Sequence, residues 1–336
     1  MFVSALFLLE AGQEPAVSLR GFVRRHPWIR LSTDPLFLQH DRGAAARRVA
    51  LVSGGGSGHE PMHAGFVGPG MLDAAVPGKI FASPHNRQVY EASKAVARDG
   101  GVLHIVKNYT GDKINFGIAA ERLAADGIEV ARVLVDDDVA TESDATATGR
   151  RGTAATIVVE KLLGAAADRG DDLNSLTALG RDVAARSRSI AVASAALTSP
   201  HTGTRTFELE PGQLEYGVGI HGERAAASIA RPPLTELVER MVTDILGSLP
   251  AGNRDPLLLL VNGLGATTDL ELCTVLELAA RRLTDLGHEI AAVEFGTFVA
   301  ALDMSGFSIT LTRLTDGLLE LWQAPTGAPA WKDQRR

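Results

Sequence analysis

Three times in the first half of the chain, a short apolar run rich in β-forming residues is followed by a polar or Gly-rich turn and then by a helical pattern. The runs are Val49 to Ser53, Val102 to Lys107 and Val130 to Val135. Such strands bury their apolar side chains only when helices cover the sheet, so the alternation predicts an α/β fold. In open α/β sheets the carboxyl ends of the strands line the ligand crevice. The segments behind the runs are Gly54-Gly55-Gly56-Ser57-Gly58-His59-Glu60, Asn108-Tyr109-Thr110-Gly111-Asp112 and Asp136-Asp137-Asp138, and this rule allows them to converge despite their separation.

A helical stretch from Gly152 to Ala167 leads into the polar turn Asp168-Arg169-Gly170-Asp171-Asp172, a place to change domain. Two α/β domains are expected, residues 1–180 and 181–336, each with a central sheet flanked by helices. The second half reads as strands at Ile190 to Ala195, Phe207 to Leu209 and Leu214 to Ile220, then a helix from Pro232-Pro233 up to Gly247. Leu257 to Val261 is uniformly apolar and fits a central strand buried on both faces. A helix over Asp269 to Leu286 follows, with strands at Glu289 to Phe295, Phe307 to Leu314 and Leu318 to Trp322.

Composition narrows the function classes. With 40 acidic against 33 basic residues, a net charge of -7 and only 5% aromatics, the chain has no electrostatic footprint for nucleic acid. The single cysteine, Cys273, makes neither an intramolecular disulfide nor a thiolate zinc cluster, so a cytoplasmic location is expected. The apolar start, Met1 to Leu9, lacks a basic flank and is too short to span a bilayer, so no membrane association is expected.

The glycine run suggests oxyanion binding, because glycines let backbone N–H groups approach a ligand. Yet no Lys-Ser or Lys-Thr follows it, Pro61 stands where a P-loop helix would run, and the dinucleotide spacing is not met. What remains is an approachable backbone beside His59, suited to a small polar ligand, or else a tight turn with a surface imidazole. Asp112 either takes a proton from a substrate hydroxyl or caps a helix beginning near Lys113. Lys107, at a strand end, orients a substrate oxygen or completes a salt bridge. Asp136 to Asp138 invite a magnesium reading, but adjacent residues on an extended chain point to opposite faces, which favours turn and cap roles. His221 follows Gly217 and Gly219, which clear space as where a ligand approaches; its imidazole is either a nucleophile toward a carbonyl or a strand-end group bonded to Glu223. His26, His40, His63, His85, His104, His201 and His288 show no metal-ligand spacing, and most of them are read as surface or structural.

Taken together, Val52 to Pro61, Val106-Lys107-Asn108-Tyr109-Thr110-Gly111-Asp112 and Gly217-Val218-Gly219-Ile220-His221-Gly222-Glu223 resemble the substrate-binding K subunits of dihydroxyacetone kinases, the DhaK family. The resemblance continues through Val135 to Ala140, Gly149 to Gly152, Val261 to Gly265 and Leu302 to Leu311, and covers roughly residue 17 to the C-terminus. It implies a homodimeric subunit that holds a short ketose as a covalent hemiaminal. His221 matches the histidine that forms it. By the same carry-over Asp112 is the base for the terminal hydroxyl and His59 hydrogen-bonds the substrate. Gly56, Ser57, Gly58, Lys107 and Ser83 line the site. The resemblance further implies that this chain binds no metal or cofactor itself. ADP or ATP with Mg would sit on a separate L-type subunit, recharged in some bacteria by a phosphotransferase-system protein. The ketose is dihydroxyacetone or a relative such as erythrulose, and a non-catalytic triose sensor is the alternative. Residues 1–16, and Arg224-Ala225 where a Pro-Gly pair is common, depart from the family pattern.

Overall fold

The structure is a computed structural model and describes residues 6–9, 14–141, 149–224, 228–250 and 255–331. Most of the apolar start lies outside the described residues. The chain divides into two compact units: residues 9–135, 156–184 and 320–336 form one, and residues 1–8, 136–155 and 185–319 the other. The expected boundary at 180/181 falls inside a helix, Leu173–Ala185, and the chain changes unit several times.

The first unit holds a sheet of β1 (Ile29–Thr33), β2 (Leu36–His40), β3 (Ala50–Ser57), β4 (Ala74–Ile80), β5 (Val102–Lys107) and β6 (Val130–Val135). Their order is β1-β2-β4-β3-β5-β6. The pairs β3/β4, β3/β5 and β5/β6 are parallel, whereas β1/β2 and β2/β4 are antiparallel. Its helices are α1 (Glu14–Arg25), α2 (Asn86–Val96), α3 (Thr110–Ala125), α4 (Ala155–Arg169) and α5 (Leu173–Ala185). Every residue of β3 and β5 is buried, as a parallel strand covered on both faces requires. Val52, Val76, Val89, Val106 and Phe116 pack together between the sheet and its helices.

The second unit holds β7 (Ser187–Ala195), β8 (Gln213–Tyr216), β9 (Ser228–Ala230), β10 (Leu257–Gly263), β11 (Ile290–Gly296) and β12 (Ser305–Arg313) in the order β11-β10-β12-β7-β8-β9. Here β10/β11 is parallel and the other pairs are antiparallel. Helices α6 (Leu234–Ser248) and α7 (Asp269–Asp285) pack through Leu237, Met241, Ile245, Leu272 and Val275 against the central strands. Helix α8 (Asp316–Gln323) follows β12. Among the described residues no helix is long and apolar enough to cross a membrane.

The sequence reading of the two-sheet α/β architecture holds, with four local corrections. Gly54 to Ser57 continue strand β3 instead of forming a turn, and the chain bends at Gly58, whose φ of 100° favours glycine. Helix α3 starts at Thr110, three residues before Lys113, so Asp112 lies inside its first turn and does not cap it. Phe207 to Leu209 pair with no strand. Leu318 to Trp322 form helix, because Leu318, Leu321 and Trp322 are buried at helical spacing.

Candidate functional site

The glycine run exists to let neighbours in. A Cβ on Gly54 would lie 2.4 Å from the Val76 carbonyl oxygen, one on Gly55 2.3 Å from Lys107 Nζ, and one on Gly56 2.7 Å from the Ala82 nitrogen. Strand β3 therefore accepts β4 on one side and the ammonium of Lys107 on the other. Ser57 Oγ donates to the Gly78 carbonyl at 2.7 Å, and the Gly58 N–H donates to Glu60 Oε2 at 2.9 Å. His59 is buried with its ring 5.2 Å from that of Phe81. Phe81 carries a φ of 54°, a conformation few side chains adopt, and its N–H is held by the Ser57 carbonyl at 2.9 Å. Of the two readings of this segment, the tight turn with a surface imidazole does not hold, because the His59 ring is enclosed.

Lys107 ends β5 and is 1% exposed. Its Nζ donates to the Gly54 carbonyl at 3.2 Å and to His63 Nε2 at 2.8 Å, and stands 3.9 Å from Asp112 Oδ2. Burial pulls the Lys107 ammonium below its ordinary range, with Asp112 and Glu160 opposing. His63 in turn meets Glu160 Oε1 of α4 through Nδ1 at 2.6 Å and Ser53 Oγ at 3.1 Å. Burial lowers His63, and the Lys107 charge adds to this, so the imidazole is neutral. Burial also pushes the Glu160 carboxyl up to about 8, against the pull of Ser53 and Lys107. Asp112, nearly buried in the first turn of α3, is favourably placed against the positive end of the helix dipole. Ser83 packs beside it: Asn115 Nδ2 donates to Ser83 Oγ at 3.4 Å, and a Cβ on Gly111 would lie 3.1 Å from Ser83 Cβ.

His221 belongs to the other unit. Glu223 grips it twice, accepting from its backbone N–H at 2.9 Å and from Nδ1 at 2.9 Å. A carboxylate only accepts, so Nδ1 carries a proton, and in the neutral ring Nε2 is the nitrogen left with the lone pair. Burial opposes the charge of Glu223, but the bond and charge of His221, together with Arg151, hold it down to about 2. Gly217 (φ 90°) gives its carbonyl to Arg151 Nη2 at 2.9 Å, and a Cβ on Gly219 would strike Glu223 Oε2 at 2.0 Å. Arg151 is tied to Asp138 at 2.6 Å. The three consecutive aspartates diverge: Asp136 pairs with Arg150 at 2.9 Å, Asp138 with Arg151, and Asp137 accepts from Thr153 and from the Ala155 N–H that opens α4. They act in turns and caps.

Among the proposed residues, Gly56, Ser57, Gly58, His59, Ser83, Lys107 and Asp112 all lie in the first unit, where β3, β4 and β5 end. Sequence reasoning missed His63 and Glu160, which contact Lys107 directly and through one intermediate, and Arg151, which supports Glu223. The Glu160 to His63 bond joins positions 97 residues apart, so no local spacing signals it.

Comparison with known proteins supplies the family. A Dak1 domain model matches residues 20–330. The chain belongs to the Dak1 domain family. This Dak1 chain is 40% identical to the dihydroxyacetone-binding subunit DhaK of the PEP-dependent dihydroxyacetone kinase of Escherichia coli, covering 93% of this chain and 94% of that protein. It is 41% identical to the DhaK subunit of a PTS-dependent dihydroxyacetone kinase from Listeria innocua, over 84% of this chain and 87% of that one. The Dak1 fold is also that of a dihydroxyacetone kinase operon co-activator, DhaQ, with a TM-score of 0.89 and 30% identity over 94% of this chain and 98% of that one. The C. freundii dihydroxyacetone kinase in complex with AMP-PNP and Mg2+ matches with a TM-score of 0.89 and 34% identity, over 98% of this chain but 61% of that longer one.

Proposed function

We propose that this chain is the ketose-holding subunit of a multi-subunit dihydroxyacetone kinase. The carrying observation is the His221–Glu223 couple, which leaves Nε2 as the basic nitrogen in a chain so similar to dihydroxyacetone-binding subunits. The Nε2 lone pair forms a bond to the ketone carbon, the C=O π pair moves onto oxygen, and that oxygen takes up a proton from solvent. The charge gained by the ring is held against the Glu223 carboxylate. Only a carbonyl accepts this bond, so a ketone is separated from glycerol by chemistry and not by size. Asp112 then takes the proton from the terminal hydroxyl as that oxygen attacks phosphorus, with His59 as its hydrogen-bonding partner toward the substrate. The phosphoryl group comes from a nucleotide with Mg on a separate L-type subunit, recharged by a phosphotransferase-system donor, and the chain works as a cytoplasmic homodimer.

A second reading is favoured by the co-activator of the same fold: a triose sensor without turnover. A sensor needs only the hemiaminal histidine, whereas this chain also carries Asp112 and His59. The test is native mass spectrometry with dihydroxyacetone, followed by turnover with an L-type subunit. Wild type is expected to show the adduct and turn over; His221→Ala loses the adduct. Asp112→Asn keeps the adduct and loses roughly 10²–10⁴-fold in turnover. An adduct without turnover under any L-type subunit establishes the sensor instead.

A further inference from the structure

The reaction proposed above uses His59, Asp112 and His221 but leaves Lys107 and the buried groups behind Asp112 without a task. Glu160 is fully buried, and its Oε2 has no hydrogen-bonding partner among the described residues. Burying a carboxyl, an imidazole and an amine in one line is costly unless each is satisfied by the next. A hydrophobic core would fill the same space without that cost. Gly55 is kept free of a side chain where Lys107 Nζ and His63 Nε2 come together, 2.3 and 3.5 Å from the position of its missing Cβ.

We propose that Glu160, acting through His63, is the positioning residue that sets the charge of Lys107 and thereby the basicity of Asp112. The inference rests on the kinase reading for its catalytic consequence only. The chain of contacts is continuous: Glu160 Oε1 to His63 Nδ1 at 2.6 Å, His63 Nε2 to Lys107 Nζ at 2.8 Å, and Lys107 Nζ to Asp112 Oδ2 at 3.9 Å. Among the described residues, the titratable groups that face Lys107 are Asp112 from α3, His63 from the segment after β3, and Glu160 from α4.

Two proton arrangements fit this geometry. In one, Glu160 is a carboxylate that accepts from Nδ1–H of His63, while Nε2 accepts from the Lys107 ammonium. In the other, one proton has moved from Nζ to Nε2 and one from Nδ1 to Oε1. The result is a neutral amine, the other imidazole tautomer and a protonated carboxyl, with the proton count unchanged. A carboxylate beside an ammonium is a weaker base than the same carboxylate beside a neutral amine. A neutral amine there lets Asp112 hold a proton more tightly. The balance between the two arrangements is thus a setting for the base, made by a carboxyl on a different helix, α4. The neighbouring Lys161 is not part of it, because its Nζ donates to the Leu321 and Ala324 carbonyls.

The chain has six lysines, so each ε-carbon is separable by NMR after 13C labelling, with Lys107 assigned from Lys107→Arg. In Glu160→Gln the ammonium loses its carboxylate counter-charge, and the Lys107 titration midpoint is expected to fall by about one pH unit or more. His63→Gln, which breaks the link while leaving Glu160, is expected to move it in the same direction. These titrations use the resting protein and stand whether or not it turns over. With dihydroxyacetone and an L-type subunit, the acid limb of kcat/KM in Glu160→Gln is expected to move up by about one pH unit, with KM for the ketose within about twofold of wild type. Glu160→Asp restores the wild-type limb. Superimposable Lys107 titrations in wild type and in the folded variants overturn the proposal. A shifted titration in a protein that never turns over leaves the relay standing and removes the kinase reading alone.

Discussion

At the scale of single residues, the second-half site is a histidine whose tautomer is decided by one carboxylate. Glu223 is held at about 2 from an ordinary 4.5, so the folded chain binds fewer protons there than the unfolded chain between those two values. Its contribution to stability is therefore present above about pH 4.5 and lost as pH falls toward 2. The Glu223 side chain is 39% exposed, so solvent screening reduces the effect to roughly 1 kcal/mol. Urea unfolding of wild type and Glu223→Gln is expected to show wild type ahead by about that amount at pH 6, with the gap narrowing steadily below pH 4.5. A gap independent of pH sinks this account. The same bond carries the reactivity, because a glutamine that turns its amide NH2 toward Nδ1 moves the proton to Nε2 and removes the nucleophilic lone pair.

At the scale of elements, the ends of β3, β4 and β5 are set by side chains that are missing. Adding a Cβ at Gly54 drives it into the Val76 carbonyl at 2.4 Å, which only a shift between β3 and β4 relieves. Gly54→Ala is expected to cost about 1–3 kcal/mol in chemical denaturation. Gly117, inside α3 with nothing within 4 Å of its Cβ position, is the control: Gly117→Ala is expected to stabilise by about 0.5–1 kcal/mol. Equal effects at the two positions contradict the close-approach argument. This difference explains what was legible in the sequence. Strands β3, β5, β6 and β10 announce themselves as apolar runs, and Lys107, Asp112 and His221 stand out as reactive groups at or beyond strand ends. Strand β4 is hidden because Pro77 and Gly78 interrupt it, and β1 and β2 are short and partly exposed. Helix α8 was misread because five residues, Leu318 to Trp322, are too few to separate a period of two from one of 3.6. The glycines read as a turn because a strand without side chains has no alternation to detect. His63 and Glu160 stayed invisible because burial and a partner 97 residues away, not a motif, give them their chemistry.

At the scale of the whole chain, contiguity in sequence and contiguity in space part company. The first unit is completed by residues 320–331, which arrive after the entire second sheet has been laid down. Lys161 in α4 is buried and gives its ammonium to the carbonyls of Leu321 and Ala324 at 3.2 and 2.7 Å. The Gly327 and Ala330 N–H groups donate to the Pro69 and Gly65 carbonyls at 2.8 and 2.9 Å. Trp331 sets its ring 5.0 Å from Trp322 and 6.5 Å from Phe66. A fragment ending at residue 180 strips these partners from a buried ammonium, each bond to which is worth about 1.5–3 kcal/mol, and uncovers Phe66 as well. Whole domains are stable by only about 5–15 kcal/mol, so the loss takes most of what is available. Residues 1–180 alone are therefore expected to show no cooperative urea transition by near-ultraviolet circular dichroism, and supplying residues 316–336 as a peptide is expected to restore part of it. If the fragment unfolds cooperatively at the midpoint of the full chain, the returning segment is ornamental, and the first unit folds from its own half of the sequence.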